Sequence, residues 1–274
     1  MLRKFACGLL ASLGIAQLAF AAGIAVSPLL LEVVLPPGTS YQDAIYVTNT
    51  GDEPIVVEAK VVGFMAPEGL PIFLEPELDT YPYSGRELLT LEPQDVTVQP
   101  GESVAFQFRV EMPEDLEPYG GRYVAAVFRA KPPEAAGAQV IVAAEVASLF
   151  LLNPGVEVLP RVEVSHLRVV PSPTAPGEWV IEALMANSGN IHISYQQLVG
   201  HIYITDLDGY LVGEVEMHLH TMLPGTSHFH REVWRPAGEL SPGTYRVYLD
   251  ILALTPLGTE PQRCFHFVEV ELGQ

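Results

Sequence analysis

Pro100-Gly101-Glu102-Ser103-Val104-Ala105-Phe106-Gln107-Phe108-Arg109-Val110 is a turn followed by a strand, and most of the chain repeats that statement in other residues. Pro fixes φ and Gly accepts a positive φ, so the pair sets a tight turn. Val104, Phe106, Phe108 and Val110 then alternate with Ala105, Gln107 and Arg109, the period of two that sends one set of side chains to one face of a strand. Ala44-Ile45-Tyr46-Val47 and Tyr245-Arg246-Val247-Tyr248-Leu249 alternate in the same way, and Pro-Gly, Asn-x-Gly and Asp-Gly signals separate such runs at short intervals. Asp206-Leu207-Asp208-Gly209 reads as a hairpin turn, since the downstream ligands of a calcium loop are missing. No stretch of a dozen residues carries a helical period. Many short strands with regular turn punctuation predict an all-β chain built of antiparallel, immunoglobulin-like β-sandwiches.

Laid side by side, the turn signals form a repeat. Pro37-Gly38, Asn49-Thr50-Gly51, Pro100-Gly101-Glu102-Ser103 and Gly120-Gly121-Arg122-Tyr123 have counterparts in Pro176-Gly177, Asn187-Ser188-Gly189, Pro224-Gly225-Thr226-Ser227 and Pro242-Gly243-Thr244-Tyr245. The spacings agree within two residues, except that the interval from Asn49 to Pro100 exceeds that from Asn187 to Pro224 by 14. Two tandem domains are therefore expected, 22–154 with an insertion at 63–90, and 155–274, joined at the Asn153-Pro154-Gly155 turn. Leu240-Ser241-Pro242-Gly243-Thr244-Tyr245 has the form of a tyrosine corner, in which the Tyr hydroxyl bonds back to the preceding turn; Leu116 to Tyr123 is a looser version.

The chain opens with Arg3 and Lys4, an apolar run from Phe5 to Phe20, and the small-x-small site Ala19-Phe20-Ala21, the pattern of a cleaved signal peptide over residues 1–21. The run is short for an integral membrane anchor and no charged stop follows it. Without this leader the net charge moves from −19 to −21, and Cys264 is the only thiol left, so no intramolecular disulfide is expected. Such acidity argues against nucleic acid, whose phosphates need a basic face, and against anionic lipid. The mature protein is expected to be exported, either periplasmic or extracellular at the cell surface.

Ile24-Ala25-Val26-Ser27-Pro28 and Ile45-Tyr46-Val47-Thr48-Asn49-Thr50-Gly51-Asp52-Glu53-Pro54 resemble the first strands of PapD-like periplasmic pilus chaperones. Val98-Gln99-Pro100-Gly101-Glu102 and Ala143-Ala144-Glu145-Val146-Ala147-Ser148-Leu149-Phe150 resemble later first-domain strands of that family. The same domain is similar to the peptidoglycan-binding module of WxL-interacting proteins, through Glu111-Met112-Pro113 followed by Gly120-Gly121. The first resemblance implies pilus assembly or an accessory role for envelope proteins; the second implies a surface adaptor that binds cell-wall glycan or a surface protein. Pilus chaperones clamp a subunit's terminal carboxylate with an Arg on the first strand and a Lys on the last strand of the first domain. Those positions fall here among Leu29 to Leu31 and at Ser148, none of them basic, so the charge-assisted clamp is missing.

Catalytic motifs are absent: there is no Gly-x-Ser-x-Gly, phosphate-binding loop, Cys-x-x-Cys or His-Glu-x-x-His. A non-enzymatic binding protein without cofactor is expected. Its contacts are placed on the apolar strand Gln139 to Leu152, where Val140, Val142, Ala144, Val146, Ser148 and Phe150 share one side and only Glu145 is charged. An edge strand so lightly guarded suits pairing with a donated strand or peptide of another envelope or surface protein. Tyr81 and Tyr83, among the prolines of the insertion, are a second candidate contact, or else part of a flap over the first domain. The one unusual cluster is His218-Leu219-His220 and His228-Phe229-His230 around the Leu223 to Ser227 turn. On a hairpin, and in a register that sets His220 opposite His230, all four imidazoles would share a face. That arrangement could bind Zn²⁺ or Cu²⁺ or sense pH; a polar outer hairpin face is the favoured reading, with no metal.

Overall fold

A computed structural model of the protein describes residues 23–131, 143–254 and 261–273. The expected leader, residues 1–21, lies outside them, as do Val140 and Val142. Among the described residues there are seventeen strands and two single 3-10 turns, Arg86–Leu88 and Tyr195–Gln197, with no α-helix.

The first part of the chain contributes β1 (Ile24–Ser27), β2 (Leu30–Val34), β3 (Ser40–Asn49), β4 (Ile55–Met65), β5 (Ile72–Leu74), β6 (Leu89–Glu92), β7 (Asp95–Val98), β8 (Ser103–Glu111), β9 (Arg122–Lys131) and β10 (Ala144–Asn153). One sheet runs β1-β3-β8-β6; the other runs β2-β10-β9-β4-β5, with β7 also on β4. Among the described strands of this part, β2 against β10 is the one parallel pair, because the chain crosses from one sheet to the other between β1 and β2. The alternation in β8 sends Phe106, Phe108 and Val110 inward and leaves Gln107 and Arg109 in solvent. These apolar residues meet Val57, Val124, Ala126, Phe128, Phe150 and Leu152 of the facing sheet in one core.

The second part contributes β11 (Val162–Pro171), β12 (Trp179–Asn187), β13 (Leu198–Asp206), β14 (Leu211–Glu216), β15 (Ser227–Trp234), β16 (Gly243–Ala253) and β17 (Gln262–Leu272). Its sheets run β11-β12-β15 and β14-β13-β16-β17, closed over a separate core with Ile181, Met185, Ile202, Ile204, Val247 and Ile251. The architecture is two immunoglobulin-like sandwiches in tandem.

The repeated turns share one hydrogen-bond network. Asn49 is fully buried; its Nδ2 donates to the Glu53 and Val98 carbonyls (2.8 and 3.0 Å), and its Oδ1 accepts from the Gly51 N–H (2.9 Å). Asn187 does the same with Ile191, Met222 and Gly189 (2.8, 3.0 and 3.0 Å). In each case the next bond comes from the Pro-Gly turn, Gly101 N–H to Asn49 O and Gly225 N–H to Asn187 O (2.9 and 2.8 Å). Gly101 and Gly225 sit at φ +73° and +72°, where a Cβ would clash with its own backbone. The tyrosine corner of the second unit is formed, with Tyr245 Oη donating to the Ser241 carbonyl at 2.8 Å. In the first unit it is not: Tyr123 Oη turns instead toward the second sandwich. Asp206 to Tyr210 makes the expected hairpin turn between β13 and β14, the Tyr210 N–H donating to Asp206 Oδ1 (2.8 Å).

Candidate functional site

β10 is not a bare edge. Ala144 to Leu152 pair with β9, and Leu149–Asn153 also carry β2 on the other side. From Ala144 to Ser148 no second strand is paired with it, among the described residues, although β1 also comes close to β10. The direction of the free groups follows from the ladder. The Leu149 N–H donates to the Leu29 carbonyl of the segment entering β2 (2.9 Å), so odd-numbered residues of β10 aim N–H and C=O away from β9. Glu145 and Ala147 therefore present theirs on the uncovered side. The one charge there, Glu145, lies 3.8 Å from Arg129 on the neighbouring strand.

The side-chain assignment needs correction. Val146 and Phe150 face the core between the sheets, Phe150 fully buried against Phe108 with ring centroids 4.9 Å apart. Ser148 is buried too, its Oγ donating to the Pro28 carbonyl at 2.8 Å. Ala144 is half-buried on the same side. A large apolar side chain at an even position is needed inside, so the outward set is Ala147, Leu149 and Leu151.

That outer face of the six-stranded sheet is itself covered. Val62, Phe64, Tyr123, Ala125, Val127 and Leu151 form a third apolar cluster, over which the insertion lays Tyr81 and Tyr83 and to which the second unit adds Leu223. Tyr81 stacks edgewise on Tyr83 (5.8 Å), and its hydroxyl donates to the Pro224 carbonyl at 2.8 Å. Burial holds its phenol well above the usual range. Tyr81 and Tyr83 are thus not an open contact surface: they pack a joint between the two sandwiches, because the apolar outer face of β9 and β4 has to be shielded from water.

The joint has a polar centre. The backbone N–H of His192 donates to Tyr123 Oη (2.7 Å), and the same oxygen lies 3.3 Å from His192 Nδ1. Tyr123 is fully buried, which keeps its phenol protonated and makes it the donor to Nδ1. His192 Nε2 then carries the ring proton and donates to Glu32 Oε1 on β2 (2.9 Å). That bond holds the Glu32 carboxyl below its ordinary range. Beside it the Gly121 N–H donates to the Asn190 carbonyl at 2.8 Å. A Cβ on Gly120, at φ +149°, would lie 2.1 Å from that carbonyl oxygen. Neither Glu32 nor His192 stands out in the sequence; an isolated acid and an isolated imidazole carry no motif. Arg122, also buried here, gives its guanidinium to the Pro118, Gly120 and Gly121 carbonyls.

The histidines do not form the expected hairpin. β14 pairs with β13 and β15 with β12, so the segment between them crosses from one sheet to the other and no register relates His220 to His230. The faces are also reversed: His228 and His230 point inward and are buried, while Phe229 between them is 67% exposed. His218 and His220 come alongside from outside any strand, His220 ring to His228 ring at 6.3 Å, and His218 Nδ1 and His230 Nε2 both reach Glu232 Oε1 (3.2 and 3.1 Å). Among the described residues no group of three or more His, Cys, Asp or Glu is placed to hold a metal ion. His228 Nε2 is buried with no partner among the described residues. Burial and the neighbouring imidazoles push His228 down to about 4. Burial also lowers His230, against the opposing pull of Glu232.

These elements define a class, a tandem immunoglobulin-like sandwich protein whose last first-unit strand is half uncovered. No known family's sequence profile matches the chain, and no curated protein matches it in sequence. Among solved structures it is similar to the class 5 fimbriae chaperone CfaA, at 15% identity over 89% of this chain and 98% of that one, with a TM-score of 0.45. It is similar to the E. coli chaperone DraB at 15% identity, covering 92% and 98%, with a TM-score of 0.45. It is similar also to the Salmonella enterica SafA pilin in complex with the SafB chaperone, at 12% identity, covering 92% and 99%, with a TM-score of 0.42. No helix among the described residues is long and apolar enough to cross a membrane.

Proposed function

We propose that this is an exported, non-enzymatic binding protein with a chaperone-like role, which holds an extended apolar segment of another envelope or surface protein against the first sandwich. The observation that carries the reading is the uncovered stretch of β10, Ala144–Ser148, with one charge and with outward backbone groups at Glu145 and Ala147. A strand edge of this kind recruits another strand through main-chain hydrogen bonds, with side chains of the added strand sorted by the surface they meet. Leu29 to Leu31 and Ser148 offer no cation, so affinity here rests on backbone pairing and apolar contact rather than on a clamped carboxylate.

The test uses a photo-cross-linking residue at position 147 in the producing cell. The expected product joins position 147 to an extended, alternating apolar segment of an envelope protein. Ala147→Pro, which deletes one outward N–H and no bond to β9, should lower capture at a cross-linker placed at 145 by roughly tenfold with the melting temperature nearly kept. Slow hydrogen exchange at Glu145 and Ala147 in the isolated protein would show the edge already paired and end this reading.

A further inference from the structure

We infer that β2 is a built-in occupant of the β10 edge, a displaceable strand pinned from the second sandwich by the Glu32–His192 contact. The inference rests on the docking reading above and specifies how that edge becomes long enough to use.

Among the described residues the unpaired part of β10 offers two outward residues, Glu145 and Ala147, and strand pairing this short is not stable in water. The same line of N–H and C=O groups continues through Leu149, Leu151 and Asn153, where β2 now sits. Towards the C-terminal end of β10, a partner strand that starts at Glu145 lengthens by replacing β2 residue for residue. β2 is suited to leaving. It has five residues, one neighbour and parallel pairing. Its outward residues Leu30 and Val34 are 55% and 57% exposed, as is Leu29 just before it at 57%. Its inward residues, Leu31 and Val33, are only half-buried, whereas Phe150 and Leu152 beside them on β10 are fully buried. Few buried apolar contacts on a single-sided strand mark a segment that opens locally before the rest of its sheet.

Against this, Glu32 reaches across to a rigid post. The His192 side chain is 2% exposed, held on its other nitrogen by Tyr123 and at its backbone by the same hydroxyl. A charge-assisted bond from a fixed imidazole to a carboxylate in the middle of β2 stops the strand from peeling at its centre. Beyond the ladder itself, the remaining ties, Ser148 Oγ to Pro28 O, Leu149 N–H to Leu29 O and Leu35 N–H to Asn153 O (2.8, 2.9 and 2.8 Å), sit at its two ends.

Hydrogen exchange compares the full chain with Glu32→Ala and Glu32→Gln. The expected result is a rise of about tenfold at Leu149, Leu151, Leu31 and Val33 in Glu32→Ala, a smaller rise in Glu32→Gln, and no change at Val124 or Ala126 on β9. No change at β2, or an equal rise throughout the sheet, overturns the inference. A second arm staples β2 to β10 with Leu30→Cys and Leu149→Cys, register partners on the two strands, in a Cys264→Ser background. With the cross-linker at 147, the staple should reduce capture, its reduction should restore it, and Glu32→Ala should increase it. Equal capture in all three forms overturns the displaceable strand and leaves the edge reading standing. No capture in any form overturns the edge reading itself.

Discussion

Asn49 and Asn187 each hold a Pro-Gly turn against the end of a strand, and each, fully buried, donates both side-chain amide hydrogens and accepts one bond at Oδ1. Replacing either by Ala leaves two carbonyls and one N–H to find new partners, so Asn49→Ala and Asn187→Ala should each destabilise their sandwich by about 3 kcal/mol in denaturant titration. Both positions were legible as turn signals from the Asn-x-Gly pattern. The buried histidines were legible only as a cluster, because i and i+2 fix which residues share a face but not which face meets the core. His228 binds a proton less readily folded than unfolded, its native value near 4 lying below the ordinary 6.5. Above about 6.5 neither state carries the proton and stability is full; as pH falls from there toward about 4 the unfolded chain takes the proton first and stability drops. His228→Leu also removes the unpartnered Nε2, so its melting temperature at pH 7 should match or exceed that of the native chain and should fall less steeply between pH 6.5 and 4. An unchanged slope would assign the acid sensitivity to other groups.

At the level of elements, the apolar alternation of β10 was plain in the sequence, and so was its near lack of charge. What the alternation could not say is that β2 would return to the far side of β10, since that depends on the chain switching sheets between β1 and β2, 120 residues away from the Ser148 that receives it. A Lys at Val146 would therefore test packing rather than binding, because that side chain lies against the core. The insertion shows the same limit. Its aromatic and proline content marks a segment with a role, and two roles fitted equally until Tyr81 was seen between Tyr123 and Pro224. Tyr81→Phe should cost about 1 kcal/mol through the lost bond to Pro224, whereas Tyr81→Ala should cost about 3 kcal/mol and loosen the joint as well. Equal, negligible losses for both would place the insertion outside the joint's energetics.

For the molecule as a whole, the joint decides whether two sandwiches behave as one body. Gly120 has no room for a Cβ, at 2.1 Å from the Asn190 carbonyl oxygen, and its φ of +149° is one that L side chains rarely adopt. Gly120→Ala should thus leave both cores folded but part the sandwiches, read as a larger radius of gyration in solution scattering and as two melting transitions in place of one. A single transition at the native temperature would show that the joint tolerates the methyl. The sequence by itself determined the strand class, the doubled pattern of turns, the acidic charge and the Asn-x-Gly and Pro-Gly pairs, because each depends on residues a few positions apart acting through backbone geometry. It could not place Glu32 beside His192, turn His228 inward and Phe229 outward, or cover half of β10. Those pairings join residues far apart in the chain, and which face of a strand is buried, or which edge is covered, is settled only when the sheets close on one another and the remaining apolar surface has to find a partner.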